Sequence, residues 1–153
     1  MTGVGNYRLL YERLEYEIVR HRRSWGALTV MLLDLDGFKE INDSLGHLPG
    51  DRMLHEVAAA LSSTVRAQDT LARQGGDEFS ILAPETTGAH AQQLATRARE
   101  AVRAATNGAL TTSTGWVTYP TDAEEPQTLL ALADANLRLA KRELGADRRQ
   151  RAR

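Results

Sequence analysis

The chain has 153 residues, of which 42% are hydrophobic and 25% charged, a composition typical of one soluble globular domain. Its net charge of −1 gives no general attraction to nucleic acid or to an anionic membrane surface. The absence of cysteine excludes disulfides, thiolate metal sites and a cysteine nucleophile. No apolar run approaches the ~18 residues of a membrane span, and the first residues do not resemble a signal peptide. We therefore expect a cytoplasmic domain without direct membrane contact, either alone or as part of a larger protein that is membrane-anchored or carries an upstream regulatory domain.

Hydrophobic periodicity predicts helices and strands in alternation. The predicted elements are a helix capped by Asn6, a strand at 27–33, helices at 38–45 and 50–65, strands at 69–73 and 79–83, a helix at 89–105, a strand at 110–119 and a helix at 127–144. Gly145 is expected to end the last helix, and the basic residues 148–153 to form a solvated, frayed tail. This order favours an α/β sandwich whose mixed, mostly antiparallel sheet is flanked by helices, and it excludes a repeating βαβ unit.

Four carboxylates lie beside predicted strand ends: Asp34, Asp36, Asp77 and Glu78. Because side chains alternate between the faces of a strand, we expect only one of Asp34 and Asp36 to face a given site. Asp77 and Glu78 are adjacent and are also expected to diverge. Acids from a strand end and a hairpin make a hard-oxygen site suited to Mg²⁺ and phosphates, although acids at loop tips are usually only solvated.

The pair Gly75-Gly76 separates two predicted strands. Its commonest meaning is a type I′ hairpin turn. A second interpretation is that the missing Cβ atoms allow a nucleotide to approach the backbone closely. The two interpretations are compatible.

Residues 73–79 read RQGGDEF, residues 34–39 read DLDGFK, and residues 41–47 read INDSLGH, followed by Gly50 and Asp51. Residues 2–6 (TGVGN) and 113–115 (STG) complete a series that resembles the GGDEF family of diguanylate cyclases along nearly the whole chain. The resemblance implies a palm-like fold related to nucleotidyl cyclase catalytic domains. It also implies a Mg²⁺-dependent enzyme that condenses two GTP molecules into cyclic di-GMP, with Mn²⁺ as an alternative metal.

The resemblance also implies roles for particular positions. Asp34, the Leu35 carbonyl and Asp77 would hold the metal. Asp77 or Glu78 would assist deprotonation of the attacking 3′-hydroxyl of GTP. The substrate-binding positions would be Phe38, Lys39, Asn42, His47, Asp51, Gly75, Gly76 and Lys141. Among these, Lys39 and Lys141 would contact phosphates, and Asn42 and Asp51 would read guanine, whose N1–H and 2-amino donors a carboxylate can accept together. His47 is either a further contact or an ordinary polar residue of the loop.

The last helix departs from the family pattern. The family usually places a Gly-Arg-Asn sequence two residues after its Ala-Lys pair, whereas residues 140–148 here read AKRELGADR. One residue is inserted before Gly145, and no arginine follows it directly. The second phosphate contact is therefore left open, with Arg148 as one candidate.

Residues 66–69 read RAQD, which matches the family's RxxD inhibitory motif. The resemblance implies that Arg66 and Asp69 bind the cyclic di-GMP product, with Arg97 as a secondary contact from another subunit. The ordinary meaning of an RxxD string is a surface salt bridge.

The resemblance implies catalysis by a homodimer in which each subunit carries one GTP. Two alternatives differ in class. A catalytically silent module that binds cyclic di-GMP or GTP as a sensor would usually have lost Asp34, Asp77 or Glu78, and all three are present. A cyclase that joins ATP to GTP would usually have lost the acid at position 51.

Overall fold

The computed structural model describes residues 4–153, so the beginning of the TGVGN segment lies outside the described residues. The elements are α1 Tyr7–Ser24, β1 Leu28–Asp36, α2 Phe38–Leu45, α3 His47–Ser62, β2 Thr70–Gly75, β3 Glu78–Pro84, α4 Gly88–Ala105, β4 Thr111–Tyr119 and α5 Pro126–Arg151. Among residues 4–153, no helix combines the length and hydropathy that a membrane crossing requires.

The four strands form one open sheet in the order β2-β3-β1-β4, and all three ladders are antiparallel. A parallel bridge joins Gly5 to Ala72 at the β2 edge. Helices α1 and α5 cover one face of the sheet, and α3 and α4 cover the other. The predicted α/β sandwich with a mostly antiparallel sheet is confirmed.

Strand β1 lies at the centre of the fold, and all nine of its residues are buried. Its apolar side chains alternate: Met31, Leu33 and Leu35 pack towards α3 and α4, and Leu28, Val30 and Leu32 pack towards α1 and α5. Continuing this alternation places Asp34 and Asp36 on the same face, towards α5. The expectation that only one of them could face a site was wrong, because residues two apart on a strand point the same way.

Helix α5 does not end at Gly145 but continues to Arg151. Gly145 lacks the positive φ of a glycine C-cap, and the residues that follow it include alanine and three arginines, which are good helix formers. Residues 148–151 are thus helical. Arg148 follows Lys141 by seven residues, so both project from the same side of α5.

Several other boundaries differ from prediction, among them the end of β1 and the start of α3. Strand β1 runs three residues further than expected, because its pairing with β4 continues to the Asp36–Thr111 pair. Helix α3 starts at His47 rather than near Gly50, since Pro49 is tolerated in the first turn, where no N–H is needed.

Candidate active site and a second polar cavity

The acidic end of β1 meets the β2–β3 hairpin. Asp34 is paired with Glu78 of β3 on one side and with Ser113 of β4 on the other. The Leu35 N–H donates to the Asp77 carbonyl oxygen at 3.0 Å, which ties the turn to the strand just beyond the last ladder pair. The Leu35 carbonyl leaves the strand on the same side, because the N–H and C=O of one antiparallel residue point in the same direction.

The turn itself consists of Gly76 and Asp77, because Gly75 is paired with Glu78. Gly75 and Gly76 have φ of 132° and 48°, whereas Asp77 is outside the positive-φ region. A type I′ turn requires positive φ at both central residues, so this interpretation was wrong. The Arg73 guanidinium donates to the Gly76 carbonyl at 3.0 and 2.8 Å and braces the turn. A Cβ atom on either glycine would meet no protein atom within 4 Å, so the surface beside the turn is open.

Lys141 brings a positive charge to the carboxylates. Its Nζ donates to Asp34 Oδ2, and Asp36 accepts a hydrogen bond of 2.8 Å from the Ser113 hydroxyl. Partial burial acts to lower the pKa of Lys141, but the hydrogen bond to Asp34 and the charges of the three acids outweigh it and raise this pKa. Burial raises the pKa of Asp77, and the charge of Asp34 raises it further. Burial also raises the pKa of Asp36, against the Ser113 hydrogen bond and the Lys141 charge.

These residues fit a divalent cation. Asp34 Oδ1 is buried and has no hydrogen-bond partner in the described part of the chain, so one carboxylate lone-pair direction is unsatisfied. The pKa of Asp77 is raised first by burial and then by the charge of Asp34, and a bound cation would offset both effects. Among residues 4–153, no group of three or more His, Cys, Asp or Glu side chains is placed around a common metal position. A site with two carboxylates and open coordination positions suits Mg²⁺, which keeps waters and binds phosphates.

A cavity of about 270 Å³ opens beside these acids. Its lining includes Leu35, Asp36, Phe38, Lys39, Asp77, Lys141, Gly145 and Arg148. Three cations from two helices, Lys39, Lys141 and Arg148, therefore face the same space as Asp77. Glu78 is exposed and does not line this cavity, so it diverges from Asp77 as the sequence predicted.

The guanine-reading candidates lie apart from this cavity, at the junction of α2 and α3. Asn42 Oδ1 is buried without a hydrogen-bond partner among residues 4–153. His47 and Asp51 are exposed at the start of α3. Gly50 is buried against Asn42: an added Cβ would lie 3.1 Å from its Cγ, closer still to its Oδ1, and 3.6 Å from Phe38 Cζ. The sequence predicted Asn42 and Asp51 as a pair but gave Gly50 no such contact role.

Another glycine sets the position of α5. A Cβ on Gly115 would lie 2.8 Å from the carbonyl carbon of Asn136, and closer still to the Leu137 nitrogen and the Ala133 carbonyl oxygen. Asn136 also donates from Nδ2 to the Trp116 carbonyl at 3.1 Å. Lys141 lies one helical turn beyond Leu137, so this close approach places its ammonium group beside Asp34.

The RxxD residues line a second cavity of about 250 Å³. Arg66 forms an ion pair with Asp69 at 3.0 Å, and the same guanidinium donates to the Pro84 carbonyl at 2.7 Å and to Thr86 Oγ1 at 2.8 Å. Arg97 lines this cavity and donates to the Thr64 carbonyl at 3.2 Å. The structure thus contains the ordinary salt bridge and also brings Arg66, Asp69 and Arg97 to one polar cavity.

Sequence reasoning missed several residues at these two sites. The Asp36–Ser113 contact joins segments 77 positions apart, and no local pattern indicates it. His90 and Gln93 line the second cavity beside Arg97. Gln93 and His90 precede Arg97 by four and seven residues on a predicted helix, and this spacing would have indicated a shared face.

Comparison with known proteins agrees with this geometry. Residues 1–146 match the family described as "Diguanylate cyclase, GGDEF domain". Diguanylate cyclase TpbB of Pseudomonas aeruginosa is 39% identical over 156 residues, covering 97% of this chain and 36% of that protein. The bifunctional diguanylate cyclase/cyclic di-GMP phosphodiesterase MucR of the same organism is 38% identical over 152 residues, covering 92% of this chain and 21% of that protein.

The crystal structure of the TpbB GGDEF domain superposes with a TM-score of 0.88 at 33% identity, covering 94% of this chain and 93% of that one. The chain spans well under half of the length of the two curated relatives. On the combined agreement of sequence and fold, the chain belongs to the GGDEF family of diguanylate cyclase domains.

Proposed function

We propose that the chain is an active diguanylate cyclase that condenses two GTP molecules into cyclic di-GMP and two pyrophosphates. The observation that carries this proposal is the meeting of Asp77 with three cations at one cavity, where Lys141 is also paired with Asp34. Paired acids with adjacent lysine and arginine side chains are what a triphosphate and its metal ion require together. We expect this work to take place in the cytoplasm, where GTP is available.

The substrate would be held at both ends. Asn42 and Asp51 would accept and donate hydrogen bonds at the guanine edge, with His47 as a further polar neighbour. Lys39, Lys141 and Arg148 would contact the phosphates, and Gly75 and Gly76 would let the nucleotide pass close to the backbone. Arg148 would make the second phosphate contact, in place of the arginine that does not directly follow Gly145 in this chain. The continued α5 helix brings Arg148 to the same cavity as Lys141.

Asp34, Asp77 and the Leu35 carbonyl would hold Mg²⁺, which supplies charge neutralisation of the phosphates and their alignment. The Lys141 ammonium, now paired with Asp34, would turn to the phosphates once that acid binds a cation. The 3′-hydroxyl of one GTP attacks the α-phosphorus of the other; a P–O bond forms, and the bond to pyrophosphate breaks. Asp77 and Glu78 are the two candidates for accepting the hydroxyl proton. A second, identical transfer closes the ring.

Two chains would be needed, because the reaction joins two GTP molecules and each chain would hold one of them. A homodimer with the two cavities face to face would bring each 3′-hydroxyl to the other nucleotide's α-phosphate. The cavity around Arg66, Asp69 and Arg97 would bind the cyclic di-GMP product and limit further synthesis. The preformed hydrogen bonds of Arg66 to Pro84 and Thr86 support this role, since they hold the guanidinium in place before any ligand arrives.

The test is incubation of the concentrated protein with GTP and Mg²⁺, with cyclic di-GMP identified by chromatography and mass spectrometry. An Asp77→Ala/Glu78→Ala chain serves as the control. We expect cyclic di-GMP and pyrophosphate from the wild type and none from the control. Tight binding of GTP or cyclic di-GMP without product, even after fusion to a dimerising coiled coil, would favour the silent sensor instead.

Product inhibition has its own test. Arg66→Ala should relieve inhibition by added cyclic di-GMP while leaving the initial rate at low product concentration close to that of the wild type. Arg97→Ala should act in the same direction if it completes the site. Unchanged inhibition in both variants would show that this cavity does not mediate product inhibition.

A further inference from the structure

A groove of about 740 Å³, larger than either of the two cavities above, runs beside the candidate active site. Its floor is the beginning of β4, the outer strand of the sheet, and its walls are the C-terminal halves of α4 and α5. Thr112 lines this floor and is 7% exposed, and its hydroxyl oxygen has no hydrogen-bond partner among the described residues. None of the roles proposed above uses this strand edge.

Four arginines line the groove, two from each helix: Arg99 and Arg103 from α4, and Arg148 and Arg151 from α5. Each pair is three or four residues apart and so shares one side of its helix. Within residues 4–153, none of the four is within 4.0 Å of a carboxylate oxygen. Like charges at this spacing repel each other, and an anion between the helices would relieve both pairs at once.

Three acids oppose an anion here: Asp36, Glu143 and Asp147. Asp36 is held by the Ser113 hydroxyl and lies within the field of Lys141. The remaining two are on α5, whereas Arg99 and Arg103 on α4 have no acid from their own helix in this lining. The α4 side of the groove is therefore its more positive wall.

The groove is continuous with the candidate active site. Asp36, Gly37, Leu144 and Arg148 line both the groove and the cavity that holds Lys39, Asp77 and Lys141. An anion released in the smaller cavity could pass along Arg148 to the other three arginines without leaving the positive surface. Guanidinium groups bind phosphate oxygens in a planar, bidentate geometry, so the groove suits a small anion with several phosphate oxygens.

We propose that this groove is a second anion site that binds inorganic pyrophosphate, with Arg99 and Arg103 as its distinguishing contacts. Pyrophosphate as the occupant rests on the proposed cyclase function, which releases it in the adjoining cavity. The binding itself needs no turnover. A failure of catalysis and a failure of this site can therefore be observed separately.

The experiment is calorimetric titration of the full chain with sodium pyrophosphate in metal-free buffer, so that no Mg²⁺ draws the anion to the carboxylates. We compare the wild type with Arg99→Gln/Arg103→Gln. A matched control, Arg13→Gln/Arg22→Gln, removes the same charge from exposed positions on α1. A third variant, Lys141→Ala, reports on the smaller cavity, and circular dichroism verifies that each variant is folded.

We expect pyrophosphate to bind the wild type and to bind Arg99→Gln/Arg103→Gln about tenfold more weakly, as the loss of two charge-assisted contacts predicts. The α1 control should remain within about twofold of the wild type, because a distant charge change has little effect through salt. Lys141→Ala, which removes a charge from the adjoining cavity, should weaken binding less than Arg99→Gln/Arg103→Gln does. Three outcomes would overturn the site: no heat of binding to the wild type, equal weakening in the control, or weakening in Lys141→Ala alone. A parallel titration with GTP distinguishes free pyrophosphate from nucleotide phosphates, and equal dependence of GTP affinity on Arg99 and Arg103 would contradict pyrophosphate as the occupant.

Discussion

Replacing Gly115 by alanine should displace α5 from β4 and, through it, Lys141 from the acids. The added methyl group would lie 2.8 Å from the Asn136 carbonyl carbon, whereas carbon atoms pack at about 3.5–4.0 Å, so the helix must retreat by roughly 1 Å. The blocking atoms belong to backbone, which cannot rotate aside. Overpacking of this kind costs about 1–3 kcal/mol of unfolding free energy. The Asn136–Trp116 hydrogen bond of 3.1 Å would be strained in the same movement.

Urea denaturation measures the stability loss, and GTP binding with turnover measures the effect on the site. Gly145→Ala in the same helix is the matched control: its Cβ meets no atom within 4 Å, and alanine in a helix interior is favoured by about 1 kcal/mol over glycine. We expect Gly145→Ala to be as stable as the wild type or more so, and Gly115→Ala to lose both stability and GTP affinity. A Gly115→Ala protein with wild-type stability and affinity would refute the placement of α5 described here.

Three further perturbations follow from the same contacts. Gly50→Ala should raise the KM for GTP, because the new methyl group pushes the Asn42 side chain aside. Denaturation should show little loss of stability, since alanine favours the α3 helix. An unchanged KM would show that Asn42 does not take part in guanine binding. Lys141→Ala should destabilise the metal-free protein by about 1–2 kcal/mol, a value reduced from that of a buried ion pair because the lysine side chain is 41% exposed. Added Mg²⁺ should reduce this difference in stability between the variant and the wild type. A difference that does not depend on Mg²⁺ would argue against a cation at Asp34. Asp36→Asn should make the metal-free protein more stable at neutral pH. Burial raises the pKa of Asp36 in the folded state, so the contribution of this residue to folding stability is full below the ordinary pKa of 3.8 and is lost as the pH rises through the folded pKa. The extra stability of Asp36→Asn should therefore disappear in acid. A stability difference between variant and wild type that is constant across pH would contradict this sign.

Much of the fold could be predicted from the sequence, because its information is local. The apolar run of β1, the Asn6 cap and the Gly46 end of α2 each depend on a few neighbouring residues, and all three occur in the structure. Gly145 was misread because a glycine ends a helix only when the backbone takes a positive φ there, and composition does not determine that angle.

Site residues that belong to sequence motifs could be predicted, whereas contacts between distant segments of the chain could not. Asp34, Asp77 and Lys141 came from separate segments, and the structure brings them together. The supporting contacts of Gly50 and Gly115 could not be predicted, since each depends on the distance between two helices or between a helix and a strand. The shared face of Asp34 and Asp36 could have been, because it follows from the two-residue period of a strand.

We propose that each chain supplies one half of a two-chain catalytic site. It is tested most directly by measuring the rate of cyclic di-GMP formation while wild-type chain is replaced by the Asp77→Ala/Glu78→Ala chain at constant total concentration. If both subunits must be competent, the rate should fall as the square of the wild-type fraction, because only wild-type pairs make product. A rate that falls in direct proportion to the wild-type fraction, or the absence of product from the undiluted wild type, would contradict the account.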